Sequence, residues 1–512
     1  MIKLCNKKIL LFAFSLGFII RLIPELISFP YPIGWDTIYY AYRIDEGVLF
    51  GFWDNIYSSW MIYAILMVLS DLTTLAPFML LKIVAPLLYG GTSTGIYFVS
   101  YKKFGWNATK SLLASLIFVF SLAGLGVSWQ FYRNVFGVMV LLFAIPIIKS
   151  DIGWKETAIL SILGLLVAWG HELSAISLFF IVFGYLFLSV IRKEKLQYRL
   201  FVALIPALFV FFGNFFLVSP YAVVYPANLV WLHDSVWAHP GNLFFITDYL
   251  NVNTPIESYT GYFDLFSQVG VLFFLLYAVL IPLIAVGIFK DRILNLWTFL
   301  LLIGSFGCLI IPMAGILLWA RWMLMLIIPF TFFAANGLWK VTKSLEGVSI
   351  TKHLGLLKIT KKINYALLLI FLILGGLFMS WPLSDTGQGL VNWSGSFKYF
   401  PSTMQTSSIP LRDTEPLIEA YEWLKNNMNT TSVLLVHDTF EFWTLLYLEN
   451  SQVAYLFDHN LEDALNSAQN DGYQQIYFVW WNQDIKWYNI EIPNNMNPTQ
   501  TFDRISIYQT TQ

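Results

Sequence analysis

The side chain best suited to chemistry is Asp36, which follows the first long apolar segment in the stretch GWDTIYYAYRIDEG. Tyr39 and Tyr40 come one helical turn later. A carboxylate at a wet pocket mouth can take a proton from an acceptor hydroxyl as that hydroxyl attacks a sugar carbon. If the sugar leaves from a phosphate, the acid partner of a glycosidase pair is unnecessary, and positive charge must hold the phosphate instead. The alternative is a solvated loop aspartate.

Two arginines could supply that charge. Arg133, in SWQFYRNVFG, lies at the outer side, where the third and fourth predicted spans are joined. Arg321 interrupts the apolar run LLWARWMLMLIIPF. A central membrane arginine costs about 2.5–3.5 kcal/mol, so it usually faces a cavity, a partner or a phosphate. Its planar fork suits phosphate oxygens, whereas snorkelling to the headgroups is the alternative. Arg21 is ambiguous, because Glu25 lies one turn away and can neutralise it.

A third polar group is His171-Glu172, in LLVAWGHELSAISLF. The pair could bind a divalent metal or substrate hydroxyls. Adjacent residues point in different directions on a helix, so the spacing alone is no metal signature. A structural turn between two short helices is the other interpretation.

These residues belong to a chain whose surface mostly faces something other than water. Of its 512 residues, 57% are hydrophobic and 12% are charged, against roughly 25% charged in soluble proteins. Apolar runs near the ~20 residues of a membrane-crossing helix recur along it, which predicts an α-helical polytopic membrane protein. The net charge of −1 gives no support for a nucleic-acid partner. Cys5 and Cys308 support no disulfide framework.

Basic loops predict the topology, because cytoplasmic loops are enriched in Lys and Arg. No small-residue cleavage site follows the first apolar run, so we expect an uncleaved first span with a cytoplasmic N-terminus. Eleven spans in the plasma membrane would place the C-terminal domain outside, although the two spans beside His171 could form one broken helix. The predicted spans are 9–29, 76–100, 109–127, 131–148, 157–170, 173–191, 200–219, 265–289, 294–312, 315–339 and 363–381.

Two domains follow from this pattern: a membrane module over residues 1–381 and an extracytoplasmic domain over 382–512. The module has a first outer loop at about 30–75 and a second at about 220–263. The aromatic and charged residues after Asp36 predict a helix lying along the membrane surface. In the tail, a helix starting at Thr414, the strands SVLLVHD, QVAYLFD and QQIYFVWW, and the helix LEDALNSAQN predict a small α/β domain.

With these features the chain resembles the polytopic C-type (GT-C) glycosyltransferases. That superfamily includes protein mannosyltransferases, lipid A aminoarabinose transferases and oligosaccharyltransferase catalytic subunits. The resemblance rests on the first span, LLFAFSLGFIIRLIPELISFP, on the following WDTIYYAY, on the many spans and on the outer domain.

The resemblance implies a polyprenyl-phosphate-linked sugar donor, a lipid, glycan or protein acceptor, and Asp36 as the catalytic base. Arg133, Arg321, His171, Glu172, Tyr39 and Tyr40 are the candidates for binding phosphate and substrate. Thr37 stands where protein mannosyltransferases have a second acidic residue, and WWDYG is absent. No acidic pair follows the third span, where metal-dependent members have one. A divalent cation, Mg²⁺ or Mn²⁺, therefore stays an open alternative, and a single sugar is the expected cargo.

Two other functions compete with an enzyme. A transporter or flippase of lipid-linked saccharides would also need many spans and intramembrane arginines. The sequence lacks the two matching halves and paired broken segments that many transporter folds show. A lipid-bound scaffold would leave Asp36 and Arg321 without a role.

Overall fold

The computed structural model describes residues 7–45, 61–216, 228–232, 261–311, 318–347, 370, 404, 407–449, 451–457, 460–483 and 490–510. Within them, apolar helices come first, and a mixed sheet with flanking helices follows toward the C-terminus. The helices are α1 Lys7–Ile27, α2 Thr37–Asp45, α3 Met61–Thr73, α4 Pro77–Lys102, α5 Ala108–Phe120, α6 Leu122–Gln130, α7 Tyr132–Ala144, α8 Trp154–Gly170, α9 Glu172–Ile191, α10 Tyr198–Phe216, α11 Tyr262–Tyr277, α12 Ile281–Gly287, α13 Arg292–Phe306, α14 Trp319–Met325, α15 Ile327–Gly347, α16 Thr414–Asn427, α17 Glu441–Tyr447 and α18 Leu461–Asn470.

The helices are those of a membrane-embedded protein. By length and composition, five helices in the described ranges can cross a membrane, or up to seven if each of two bent pairs is one span. Within the described residues, each predicted range from 9–29 to 315–339 overlaps a helix or a bent pair. The range 363–381 lies outside the described residues except for residue 370, and the count of eleven spans stays a prediction. One difference is α3, an apolar helix inside the predicted first outer loop.

The bent pairs have local causes. Helices α5 and α6 meet at 62°. Between them, the Ser121 hydroxyl donates to the Phe118 carbonyl and accepts from the Gly124 N–H, so it ends one helix and caps the next. Helices α11 and α12 meet at 73°, and a proline occupies the first turn of α12.

Small residues hold α1 against α4. A Cβ added at Gly17 would lie 3.0 Å from the Gly90 Cα, so the two backbones approach closely. Beside them, the Ser93 hydroxyl donates to the Ala13 carbonyl at 2.9 Å. Close backbone contact with a polar cross-link is the usual way in which helices associate in a membrane. This contact fixes α1, which leads into residues 28–36, here called the Asp36 loop.

The C-terminal sheet confirms the predicted strands and adds three more. Its strands are β1 Leu229–Trp231, β2 Ser432–His437, β3 Val453–Phe457, β4 Gln475–Trp481, β5 Met496–Phe502 and β6 Ile505–Thr510. The order is β1-β3-β2-β4-β6-β5; the first four strands are parallel, and the last two pairings are antiparallel. Strand β1 comes from the predicted second outer loop, so the sheet extends beyond residues 382–512.

The predicted helix after Asp36 is confirmed as α2. Its position along the membrane surface stays a prediction, but its aromatic side chains are covered by protein. All its residues from Thr37 to Ile44 are buried by protein. Helix α17 of the C-terminal domain packs against one side of α2. There the ring centroids of Phe442 and Tyr39 lie 5.1 Å apart. Helix α2 is therefore enclosed between the membrane helices and the sheet domain.

Candidate active site

Asp36 immediately precedes α2, in the N-cap position. Its carbonyl accepts the first hydrogen bond of the helix, from the Tyr40 N–H at 3.1 Å. The turn before it is closed by the Thr37 hydroxyl, which donates to the Gly34 carbonyl at 2.6 Å. A carboxylate here is favoured by the positive end of the helix dipole. The backbone therefore holds Asp36 in one place.

A side chain that the sequence interpretation missed, Gln130, binds Asp36 from the end of α6. Its Nε2 donates to Asp36 Oδ2 at 3.2 Å, and its Oε1 accepts from the Asp36 N–H at 3.3 Å. The backbone N–H can only donate and the ionised carboxylate can only accept, so this orientation of the amide satisfies both. Gln130 is 1% exposed, which makes it a rigid support. The available signal was a polar residue at the outer end of a predicted span.

Arg321 supplies positive charge to the same place. Its guanidinium lies 5.1 Å from the ring centroid of Phe131, the residue after Gln130. In the described part of the chain it forms no ion pair with a carboxylate, and it is only partly buried. Burial raises the pKa of Asp36 above the usual carboxyl range, while the Arg321 charge and the Tyr40 hydroxyl, at 3.5 Å, oppose the rise.

Arg133 is engaged elsewhere. Its guanidinium donates to both carboxylate oxygens of Glu172, at 3.0 and 3.1 Å, and Asn214 donates to the same carboxylate at 3.2 Å. Tyr40 lies within electrostatic range of both Arg133 and Arg321. Arg133 therefore carries a partly compensated charge, unlike Arg321.

His171 forms the break between α8 and α9. Its Nδ1 accepts a hydrogen bond from the Leu173 N–H at 3.0 Å and so caps α9. The Nδ1 lone pair is used by this bond, although Glu172 Oε2 lies 3.5 Å away. This geometry corresponds to the interpretation of His171 as part of a structural turn between two helices. Only the Nε2 atom of His171 is left for another partner.

The predicted tyrosines split between two surroundings. The Tyr40 ring stacks on Tyr63 at 4.8 Å and lies 5.7 Å from Tyr132, forming an aromatic wall beside Asp36. Tyr39 points instead to the C-terminal domain and packs on Phe442. Burial raises the pKa of Tyr39 to about 12, so its phenol stays protonated. Of the two, only Tyr40 adjoins the carboxylate.

A buried cluster of charged side chains holds the start of the Asp36 loop against the membrane helices. Glu25 accepts from Arg21 at 2.6 Å and from Lys82 at 3.2 Å. Lys82 also donates to the Tyr31 carbonyl at 2.6 Å, and Arg21 donates to the Ser128 carbonyl at 3.3 Å. The sequence indicated the first pair but not Lys82. The cluster joins α1, α4 and α6 at the base of the Asp36 loop.

The described residues do not fit a divalent cation at this place. Asp36 is accompanied by an amide, a phenol and a guanidinium, and a positive guanidinium repels a metal ion. Across the described ranges, no group of three or more His, Cys, Asp or Glu side chains could hold a metal ion.

The sequence matches no protein-family model and no curated protein. The arrangement around Asp36 is therefore the basis for a functional assignment.

Proposed function

We propose that this protein is a membrane glycosyltransferase that moves one sugar from a polyprenyl-phosphate donor to an acceptor on the outer face of the plasma membrane. One observation carries the proposal: a carboxylate held by Gln130 lies beside Arg321, which forms no ion pair with a carboxylate within the described residues. The resemblance of the first loop to GT-C enzymes supports the same conclusion.

In the proposed reaction, Asp36 takes the proton of the acceptor hydroxyl. The hydroxyl oxygen forms a bond to the anomeric carbon, and the bond from that carbon to the phosphate oxygen breaks. The electron pair goes to the phosphate, and the anomeric centre inverts. A base works best with a pKa near the operating pH, so the raised pKa of Asp36 suits this role.

Arg321 holds the departing phosphate in this scheme. A guanidinium donates two parallel hydrogen bonds to phosphate oxygens and loses no existing carboxylate partner when it does so. Arg133 would have to give up Glu172 to bind phosphate, so we assign Arg133 and Glu172 to the acceptor side, where they can bind hydroxyls. Tyr40 lies next to the proposed base, with its hydroxyl 3.5 Å from Asp36 Oδ2.

The proposed orientation also has support. The Asp36 loop, residues 228–232 and the C-terminal domain were predicted separately as outer segments. They contact one another: Tyr31 donates to Glu415 at 2.8 Å, and β1 pairs with β3. Segments in mutual contact lie on one side of a membrane, which favours a common outer face.

The decisive test is Asp36→Asn in membranes supplied with radiolabelled polyprenyl-phosphate sugars. We expect transfer to fall by at least about 100-fold, because the amide cannot take the proton. Asp71→Asn, the same change at an exposed residue ending α3, is the control and should keep wild-type transfer. Equal transfer by Asp36→Asn would remove the proposed base. Wild-type membranes inactive with every such donor would remove the proposed class.

A further inference from the structure

A second charged site lies where several interhelical loops converge. A cavity of about 510 Å³ opens between the loops that follow α4, α7 and α9 and the loop that precedes α13. Pockets for small ligands have about this volume, roughly 300–1,000 Å³. Its charged lining consists of Lys103, Glu194, Lys195, Lys290, Asp291 and Arg292.

The positive charge of this lining is only partly compensated. Arg292 and Glu194 neutralise each other through two hydrogen bonds, at 2.5 and 2.6 Å. Asp291 accepts from the Leu294 N–H at 2.9 Å and caps α13. Lys195 and Lys290 form no ion pair in the part of the chain that the structure describes.

Lys103, the third lysine of the lining, donates to the uncharged Ile148 carbonyl at 2.9 Å. Three ammonium groups therefore face one carboxylate that is not already paired. This excess favours an anion.

The cavity lies at the opposite end of the bundle from Asp36. Lys82, near the start of α4, contacts the Asp36 loop, whereas Lys103 follows the end of the same helix. The helix between them rises about 30 Å, which is the thickness of the hydrocarbon core. The two sites therefore face opposite leaflets.

Exposed apolar side chains lie close to the lysines in sequence. Ile191, just before the loop of Lys195, is 60% exposed, and Ile288, two residues before Lys290, is 59% exposed. A soluble phosphate would gain nothing from such residues. A phospholipid places its phosphate among the lysines and its acyl chains on the aliphatic surface.

We propose that this cavity binds the phosphate headgroup of an anionic phospholipid in the leaflet opposite Asp36. The site is independent of the proposed transfer reaction. Lys195 and Lys290 bind the phosphate, and Lys103 sets the depth of the headgroup. Basic pockets at the ends of membrane helices are suited to such headgroups, since each lysine attracts the negative charge of the lipid phosphate.

Native mass spectrometry of the full chain in detergent tests this, with dioleoyl phosphatidylglycerol and dioleoyl phosphatidylcholine as probes. We expect the wild type to prefer the anionic lipid. The double variant Lys195→Gln/Lys290→Gln should bind phosphatidylglycerol about tenfold or more weakly. The matched control is Lys155→Gln/Lys193→Gln, which removes two exposed lysines from the same end of the bundle. It should bind as the wild type does.

Three results would overturn the proposal. One is equal binding of the two lipids by the wild type. Another is equal loss in the pocket and control variants, which would indicate a diffuse surface effect. The third is displacement of the lipid by millimolar inorganic phosphate that binds as tightly alone, which would make the ligand a soluble phosphate. Unchanged thermal unfolding midpoints show that the exposed lysine changes leave the fold intact.

Discussion

At the scale of single residues, the candidate site depends on how Asp36 is held. Gln130 gives the carboxylate a fixed direction and a hydrogen bond that favours its ionised form. Arg321 favours the same form by its charge, and burial opposes both. Asp36, the proposed base, is thus held in one place, and burial, Arg321, Tyr40 and Gln130 all influence its pKa. The Gln130 amide favours the ionised form of Asp36. Replacing this amide by a carboxylate of the same size would disfavour that form.

Gln130→Glu tests this balance. A second carboxylate beside Asp36 disfavours its ionisation, so the acid limb of the pH–rate profile should move to higher pH. Gln130→Leu removes a hydrogen bond to a charged group, worth about 1.5–3 kcal/mol, and should lower kcat about tenfold or more. Initial transfer rates between pH 5 and 9 measure both effects. Gln469→Glu, on the exposed face of α18, is the control. An unmoved acid limb in Gln130→Glu would mean that the amide does not support the base.

At the scale of elements, the site exists because a short loop lies against the end of a bent helix pair. Gly34 has φ +126°, and a Cβ there would lie 2.7 Å from the Trp129 carbonyl and 2.9 Å from the Gln130 Cβ. Only glycine permits both the left-handed backbone and the close approach. The bend at Ser121 and the turn at Gly34 together bring Asp36 to Gln130.

Gly34→Ala should therefore separate the loop from α6. We expect a loss of stability of about 1–3 kcal/mol and a large fall in kcat, since Asp36 moves away from Gln130. Gly105→Ala is a matched control, because Gly105 has φ +66° and open space around its Cβ position. It carries the backbone strain without the collision. Thermal unfolding and transfer assays on both variants separate the two effects. Equal losses would contradict a specific contact.

At the scale of the whole molecule, the C-terminal domain packs directly against the helix and loop that position Asp36. Helix α17 covers α2 through Phe442, and Trp443 lies 5.9 Å from Tyr31 between ring centroids. Strand β1, from far upstream, completes the edge of the sheet beside β3. The domain can therefore affect Asp36, the proposed base, through α2, the helix that directly follows it.

Phe442→Ala should lower both stability and kcat. Loss of a partly buried aromatic pair costs about 1–3 kcal/mol, and the loosened α2 should reduce kcat up to about tenfold. Phe187→Ala, at a residue 65% exposed on α9, is the control and should change neither. Urea or thermal unfolding and steady-state kinetics provide the measurements. A stability loss with unchanged kcat would limit α17 to a structural role.

The sequence by itself determined the membrane class, the positions of most described helices and three core strands. It also singled out the first-loop aspartate as a candidate. These follow from hydropathy and periodicity, which are properties of contiguous residues. Arg21 with Glu25 also follows, because one helical turn separates them.

Only the tertiary structure decided the partners. Gln130 meets Asp36 across 94 positions of sequence, and Lys82 meets Glu25 across 57. It also paired Arg133 with Glu172, placed Arg321 within electrostatic range of Asp36, and added β1 to a sheet formed by residues far along the chain. Such contacts depend on how helices rotate and bend against one another. Local composition does not encode that geometry. Many polar residues lie at the ends of predicted spans, and the sequence does not indicate which of them come into contact.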